Sequence, residues 1–249
     1  KTEAQTSNSE VSKSAIQDDG TGQQLDMFSL ANEGSRNTDL SGGFKNAENT
    51  DHFYQFTATE FSQSLLLKKL LQQNSVCFDT ETTSLNTLEA KLVGIAFSYE
   101  KGKGYYVPIP ENEEEANLVL ERFNPFFKDE RIEKVGQNLK YDIKVLKNYS
   151  VDVKGPLFDT MIAHYLINPD MRHNMDVLSE TYLRYSPIPI VNLIGKKGKN
   201  QGSMRDVELD LVTEYAVEDA DVTWQLKKIF ERIMTNLQGL TNKMKKNFK

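Results

Sequence analysis

Between residues 75 and 109, three apolar runs follow one another across short polar turns, and this constrains the chain more than any other feature. Ser75 to Thr80 (SVCFDT), Lys91 to Tyr99 (KLVGIAFSY) and Gly104 to Ile109 (GYYVPI) are too short for core helices and rich in β-branched and aromatic residues, which predicts three strands. Lys101-Gly102-Lys103-Gly104 supplies the turn between the second and the third. Downstream the pattern changes. Glu113 to Lys128, Asn138 to Asn148, Asp159 to Ile167, Asn174 to Arg184 and Asp206 to about Leu237 read as helices, and Glu133 to Gly136 and Val153 to Phe158 as further strands. Strands joined by short turns, then strands alternating with helices, give a mixed sheet covered by helices, an α/β fold. Phe61 to Leu71 adds an amphipathic helix before the sheet, and residues 186–205 form a basic loop punctuated by Pro and Gly.

Residues 1–50 carry four basic and eight acidic residues and no sustained apolar period. Such a segment cannot offset its ordering entropy, so a disordered linker is expected there. Order is expected from near His52, with one domain over residues 51–240 and a basic tail over 241–249. The first residue is Lys, which suggests an excised or processed fragment. No stretch approaches 18 consecutive apolar residues, so no membrane span is expected, and no apolar leader marks a signal peptide. The single cysteine, Cys77, excludes an internal disulfide and a cysteine-built zinc site; a cytoplasmic compartment fits. The net charge of −6 argues weakly against a nucleic-acid binder, unless carboxylates gather cations that reverse the local sign.

Three acidic features stand out. Asp79 and Glu81 in FDTETTSL project from the same face of a strand end, because side chains alternate. Paired carboxylates repel unless a proton or cation lies between them, and oxygen-only ligands suit Mg²⁺ or Mn²⁺. Taken alone, the pair reads more simply as acids at a strand end that face water. In GQNLKYD, Leu139, Ile143 and Leu146 form the buried stripe of a helix, with Asp142 beside it and Lys140, Lys144 and Lys147 on a separate basic stripe. Gln137 and Asn138 could donate to a phosphate or sugar; alternatively Asn138 only caps the helix and Asp142 is solvated. In YAVEDAD, Tyr215 and Asp219 share one helix face, Ala216 and Ala220 permit close approach to a sheet, and Glu218 and Asp221 read as solvated surface acids.

The strings FDTETTSL, VGQNLKYD, FDTM, RHNMD, GKKGKNQ and YAVEDADVT occur in this order over about residues 75–226. Together they resemble the DEDDy exonucleases, most closely the 3′→5′ proofreading domains of bacterial DNA polymerase I. The resemblance implies a ribonuclease H-like, five-stranded mixed sheet with helices on both sides. It implies two divalent ions, Mg²⁺ or otherwise Mn²⁺ or Zn²⁺, with Asp79, Glu81 and Asp219 on the first. Asp79 would bridge to the second, with Asp142 contributing directly or through water, and Tyr215 would position the attacking water. Thr82, Leu85, Gln137, Asn138, Tyr141, Met161 and Arg172 match family DNA contacts, Leu85 as a wedge against the terminal base. Where other members place a stacking Phe, this chain has a residue near Ile190 in a Pro-rich stretch. The implied partners are single-stranded DNA 3′ ends at the bacterial nucleoid, and polymerase and 5′ nuclease domains of a longer chain. A ribonuclease D-like RNA exonuclease and a catalytically inactive DNA-binding module are the competing readings.

Other features point elsewhere or nowhere. Lys196, Lys197, Lys199 and Arg205 either reach the DNA backbone or are simply solvated. GKKGKN at 195–200 lacks phosphate-loop spacing. Cys77 reads as a core residue. His52, His164 and His173 show no ligand spacing. Gln24-Leu25-Asp26-Met27-Phe28 is similar to the sliding-clamp-binding pentapeptide of bacteria, a flexible tether if used.

Overall fold

Strand β2 (Ser75–Thr82) is the spine of the sheet, and its alternation decides which side chains meet. Val76 and Phe78 are buried in the core on one face, and Cys77 in the core on the other. The computed structural model describes residues 43–196, 198 and 201–247. Strands β1 (Phe53–Phe56), β2, β3 (Leu92–Glu100), β4 (Lys103–Pro108), β5 (Glu133–Gly136) and β6 (Leu157–Asp159) form one sheet in the order β1-β4-β3-β2-β5-β6. β2, β3 and β4 pair antiparallel, whereas β1, β5 and β6 join in parallel, so the sheet is mixed.

Helices α1 (Glu60–Leu70), α2 (Glu113–Lys128) and α3 (Leu139–Asn148) cover the first face. Phe123, Phe126 and Phe127 of α2 pack on Phe78 and Phe97. Helices α4 (Thr160–Ile167), α5 (Met175–Leu183) and the four-residue α6 (Val191–Ile194) lead into α7 (Leu209–Asn247). α7 covers the second face with Val212, Ala216, Val217 and Ala220. A Cβ on Gly104 would come within 2.4 Å of Val217, so this helix approaches the sheet as closely as glycine permits.

The α/β architecture matches the sequence reading, with four differences. The sheet has six strands rather than five, because Phe53–Phe56 pairs with β4; a four-residue strand is too short for period analysis. The strand expected at Val153 to Phe158 is confined to Leu157–Asp159, since Gly155 takes φ 88° just before Pro156. α7 runs past Leu237 because no proline follows to stop it. Structure also begins before residue 51: Lys45 N donates to Arg184 O at 2.9 Å, and Ser186 N to Lys45 O at 2.8 Å. Residues 24–28, with the clamp-like peptide, lie outside the described residues. Among the described residues no helix is long and apolar enough to cross a membrane.

Candidate active site

Because Asp79 and Glu81 follow Cys77 at two-residue steps, both point to the face covered by α7. There α7 presents Asp219, and the nearest carboxylate oxygens of Asp79, Glu81 and Asp219 all lie within 4.8 Å of one another. Tyr215, one turn earlier on α7, donates its hydroxyl to Asp219. Thr80 points the other way, toward α3, and holds Asp142 there. Its backbone N donates to Asp142 Oδ1 at 3.1 Å and its hydroxyl to the same atom at 2.5 Å. Asp142 thus lies beside the three-carboxylate cluster, fastened to its strand, and is buried rather than solvated.

The start of α3 is built for this approach. A Cβ on Gly136 would meet Leu139 at 2.4 Å, so the strand-to-helix turn closes only around glycine. Asn138 adopts the left-handed conformation (φ 63°, ψ 44°) and its side chain does not cap the helix. Asp159 does so instead. Its carboxylate accepts from Asn138 N (3.1 Å) and Leu139 N (2.9 Å) at the start of α3, and from Met161 N (2.9 Å) and Ile162 N (3.3 Å) at the start of α4. In FDTM, an Asp directly before a helix is the sequence signal for this cap. Asp159→Ala strips both caps at about 1 kcal/mol each. Its Tm should fall by about 4–8 °C in thermal unfolding followed by circular dichroism, and an unchanged Tm would refute the double-cap role.

Burial sets the electrostatics. It pushes the Asp79 carboxyl up to about 6. Glu81 is raised by burial and by the charges of Asp79 and Asp142; Asp142 by burial and Asp79; and Asp219 by burial, Asp79 and Glu81. Tyr215 is also raised, first by burial and then by Asp219, so it remains a neutral phenol. Glu81 Oε1 is buried with no hydrogen-bond donor. A buried carboxylate oxygen without a donor, beside two more carboxylates, fits a divalent cation as the missing partner.

The other expected site residues differ in their partners and exposure. Tyr141 donates to Ser84 O (2.5 Å), and its hydroxyl oxygen lies 2.5 Å from that of Thr82, which donates to the same carbonyl at 3.2 Å. Leu85, next in the chain, is 81% exposed. Gln137 is engaged inside the fold: it donates to His173 O at 2.7 Å and accepts from the Thr160 hydroxyl. Met161 sits half-buried at the first turn of α4, Arg172 is exposed, and Ile190 is exposed on the approach to α6.

Several readings are corrected. Glu218 and Asp221 are not surface acids; both are buried. Glu218 accepts from the Tyr185 hydroxyl and Ile188 N, each at 2.6 Å. Asp221 accepts from the Tyr54 hydroxyl (2.9 Å) and Gly102 N (3.0 Å). These bonds fix α7 to β1, to the β3–β4 turn and to the segment after α5. Arg205 donates to the carbonyls of Ile109 (2.6 Å) and Leu92 and is not aimed at a phosphate. Lys196 is exposed; Lys197 and Lys199 lie outside the described residues. His164 and His173, without ligand spacing in the sequence, come together in the fold: their Nδ1 atoms lie 2.6 Å apart, and burial holds the His164 imidazole down to about 4, neutral at physiological pH. Cys77 is fully buried, its thiol pushed up by burial.

A mixed sheet with helices on both faces, carrying acids from its central strand against acids from a late helix, places the fold among the ribonuclease H-like nucleases. Brucella melitensis NrnC shares it, with a TM-score of 0.58 at 24% identity over 78% of this chain and 85% of that one. So does Escherichia coli RNase D, with a TM-score of 0.54 at 18% identity over 72% of this chain and 45% of that one. Within this class the chain belongs to the 3′–5′ exonuclease family, which matches residues 54–235. The DNA polymerase I of Borreliella burgdorferi is 36% identical over 182 residues, 72% of this chain and 20% of the polymerase. The chain therefore spans about one fifth of that relative's length.

Proposed function

We propose that this domain removes nucleotides one at a time from the 3′ end of single-stranded DNA, with bound divalent cations. The meeting of Asp79, Glu81 and Asp219 within 4.8 Å carries this reading. A phosphodiester is anionic, and bare carboxylates would repel it. Mg²⁺ or Mn²⁺ (or Zn²⁺) held by Asp79, Glu81 and Asp219, with Asp142 alongside, would supply the positive charge that draws in the phosphate and stabilises charge on its oxygens. Tyr215, kept neutral by its surroundings, orients a water beside Asp219. Thr82 and Tyr141 hold the Ser84 segment, so that Leu85 is presented rigidly to the terminal base. Gln137, Asn138 and Met161, all half-buried at the capped starts of α3 and α4, border the terminal nucleotide with their side chains. Arg172 reaches the phosphate from the turn after α4.

DNA is favoured over RNA because the relatives that match along the sequence, at 36% and 38% identity, are DNA polymerases I. In a full-length chain, polymerase and 5′ nuclease domains would share the DNA with this one, at the bacterial nucleoid. A 5′-labelled single-stranded oligodeoxynucleotide should shorten stepwise with Mg²⁺ or Mn²⁺ and remain intact in EDTA. RNA of the same sequence should be trimmed at least about tenfold more slowly. Faster loss of RNA would turn the assignment to the ribonuclease D-like reading. Binding without hydrolysis in any divalent ion would turn it to an inactive DNA-binding module.

A further inference from the structure

Lys140, Lys144 and Lys147 form a line on α3 that neither the fold nor the acidic site requires. All three are exposed, and none makes an ion pair among the described residues. No acid stands three or four residues from any of them within the helix; their neighbours at those distances include one another. Like charges at this spacing destabilise a helix, and Lys140, in the first turn, faces the positive end of the helix dipole. In a chain of net charge −6, a row of cations that costs helix stability calls for a ligand.

The neighbouring face of α3 shows which ligand. Tyr141 bonds to Ser84 O at 2.5 Å, and Asn148 donates to Thr87 O at 2.7 Å. The loop after β2 is therefore stapled along the helix from the acidic site to its far end. Turns within the loop fix it further, with Leu88 N donating to Asn86 Oδ1 and Ala90 N to Asn86 O. It holds Leu85 and Leu88 in solvent, 81% and 86% exposed. Apolar side chains presented rigidly beside a line of cations are the two elements of a single-strand track: bases on the apolar groups and phosphates on the cations. At 1.5 Å per residue the lysines span about 10 Å, room for two or three successive phosphates.

We infer that the DNA strand upstream of the terminal nucleotide runs along α3, with its phosphates on Lys140, Lys144 and Lys147 and its bases against Leu88. This rests on the proposed exonuclease function and extends it from the terminal nucleotide to the strand behind it.

The test is the affinity for oligothymidylates from a dinucleotide to a decamer, read by fluorescence anisotropy in Mg²⁺ on an Asp219→Asn background that leaves them intact. Affinity should rise with length. Replacing the three lysines by Gln should abolish the rise between dinucleotide and hexamer, weaken decamer binding at least about tenfold at low salt, and flatten the slope of log K against log salt by about 2. Replacing all three by Arg should keep the wild-type length dependence, and the Gln variant should unfold at the same temperature as the parent or higher. The inference is overturned if the Gln variant keeps the parent's length dependence and salt slope, or if the Arg variant loses them equally. Failure of the exonuclease reading is separately visible, as wild-type protein that releases no nucleotide with any divalent ion.

Discussion

Replacing Asp219 by Asn should lower metal-dependent nucleotide release by at least about 100-fold, a loss of about 3 kcal/mol of transition-state stabilisation. The substitution keeps size and shape, so the hydrogen bond from Tyr215 has a carbonyl oxygen to accept it. What disappears is one of three negative charges gathered within 4.8 Å. The same change should raise the Tm of the metal-free protein at pH 8, because the native state no longer confines three repelling acids. Together the two outcomes separate a ligand from a structural residue: loss of a structural residue lowers both rate and Tm. Initial rates on a single-stranded oligonucleotide, with thermal unfolding in EDTA, read them side by side. A variant that retains full activity would falsify the assignment.

The second large effect concerns pH and metal. Burial raises Asp79 to about 6, and Glu81, Asp142 and Asp219 well above the usual carboxylate range. A carboxyl whose pKa is higher in the folded than in the unfolded chain stabilises the fold fully below its unfolded value near 4. That contribution is lost as pH rises through the folded value. The metal-free protein should therefore lose stability as pH rises from about 4 through about 6 at Asp79, with the other three carboxyls acting in the same direction. The rise at Asp79 alone corresponds to about 2–3 kcal/mol, or about 5–10 °C in Tm for a domain of this size. Mg²⁺ or Mn²⁺ binds the charged form, so it should restore the lost Tm at pH 8 and do little at pH 4. Scanning calorimetry of wild type and Asp79→Asn over this range, with EDTA or metal, checks the sign. Equal slopes for the two proteins would refute the link to the acidic cluster.

The site was more legible in the sequence than its supports. Asp79 and Glu81 were visible because a two-residue step on a strand leaves one geometric outcome, and Tyr215 with Asp219 because a four-residue step on a helix does the same. Ala216 and Ala220 marked the face of α7 that meets the sheet. What one-dimensional spacing cannot show is that a second layer covers the opposite face. Glu218 and Asp221 looked solvated, yet Tyr54 from β1 and Tyr185 from the segment after α5 close over them, across 167 and 33 residues of sequence. Arg205 was misjudged for the same reason: its partners are carbonyls at the start of β3 and just past the end of β4, about one hundred residues away. His164 and His173 have no ligand spacing, but the turn after α4 folds one imidazole back on the other. Strand β1 escaped because four residues within a polar segment carry no period, and only pairing with β4 defines them.

We propose that Asp79, Glu81 and Asp219 close around a divalent cation. Calorimetric titration of Mn²⁺ into the metal-free protein at pH 6.5 tests it most directly. Wild type should bind with release of protons, since the raised carboxyls give up the protons they hold, and Asp79→Asn should lose most of that binding. Wild-type protein that takes up no Mn²⁺, or an Asp79→Asn variant that binds it with undiminished affinity, would contradict the account.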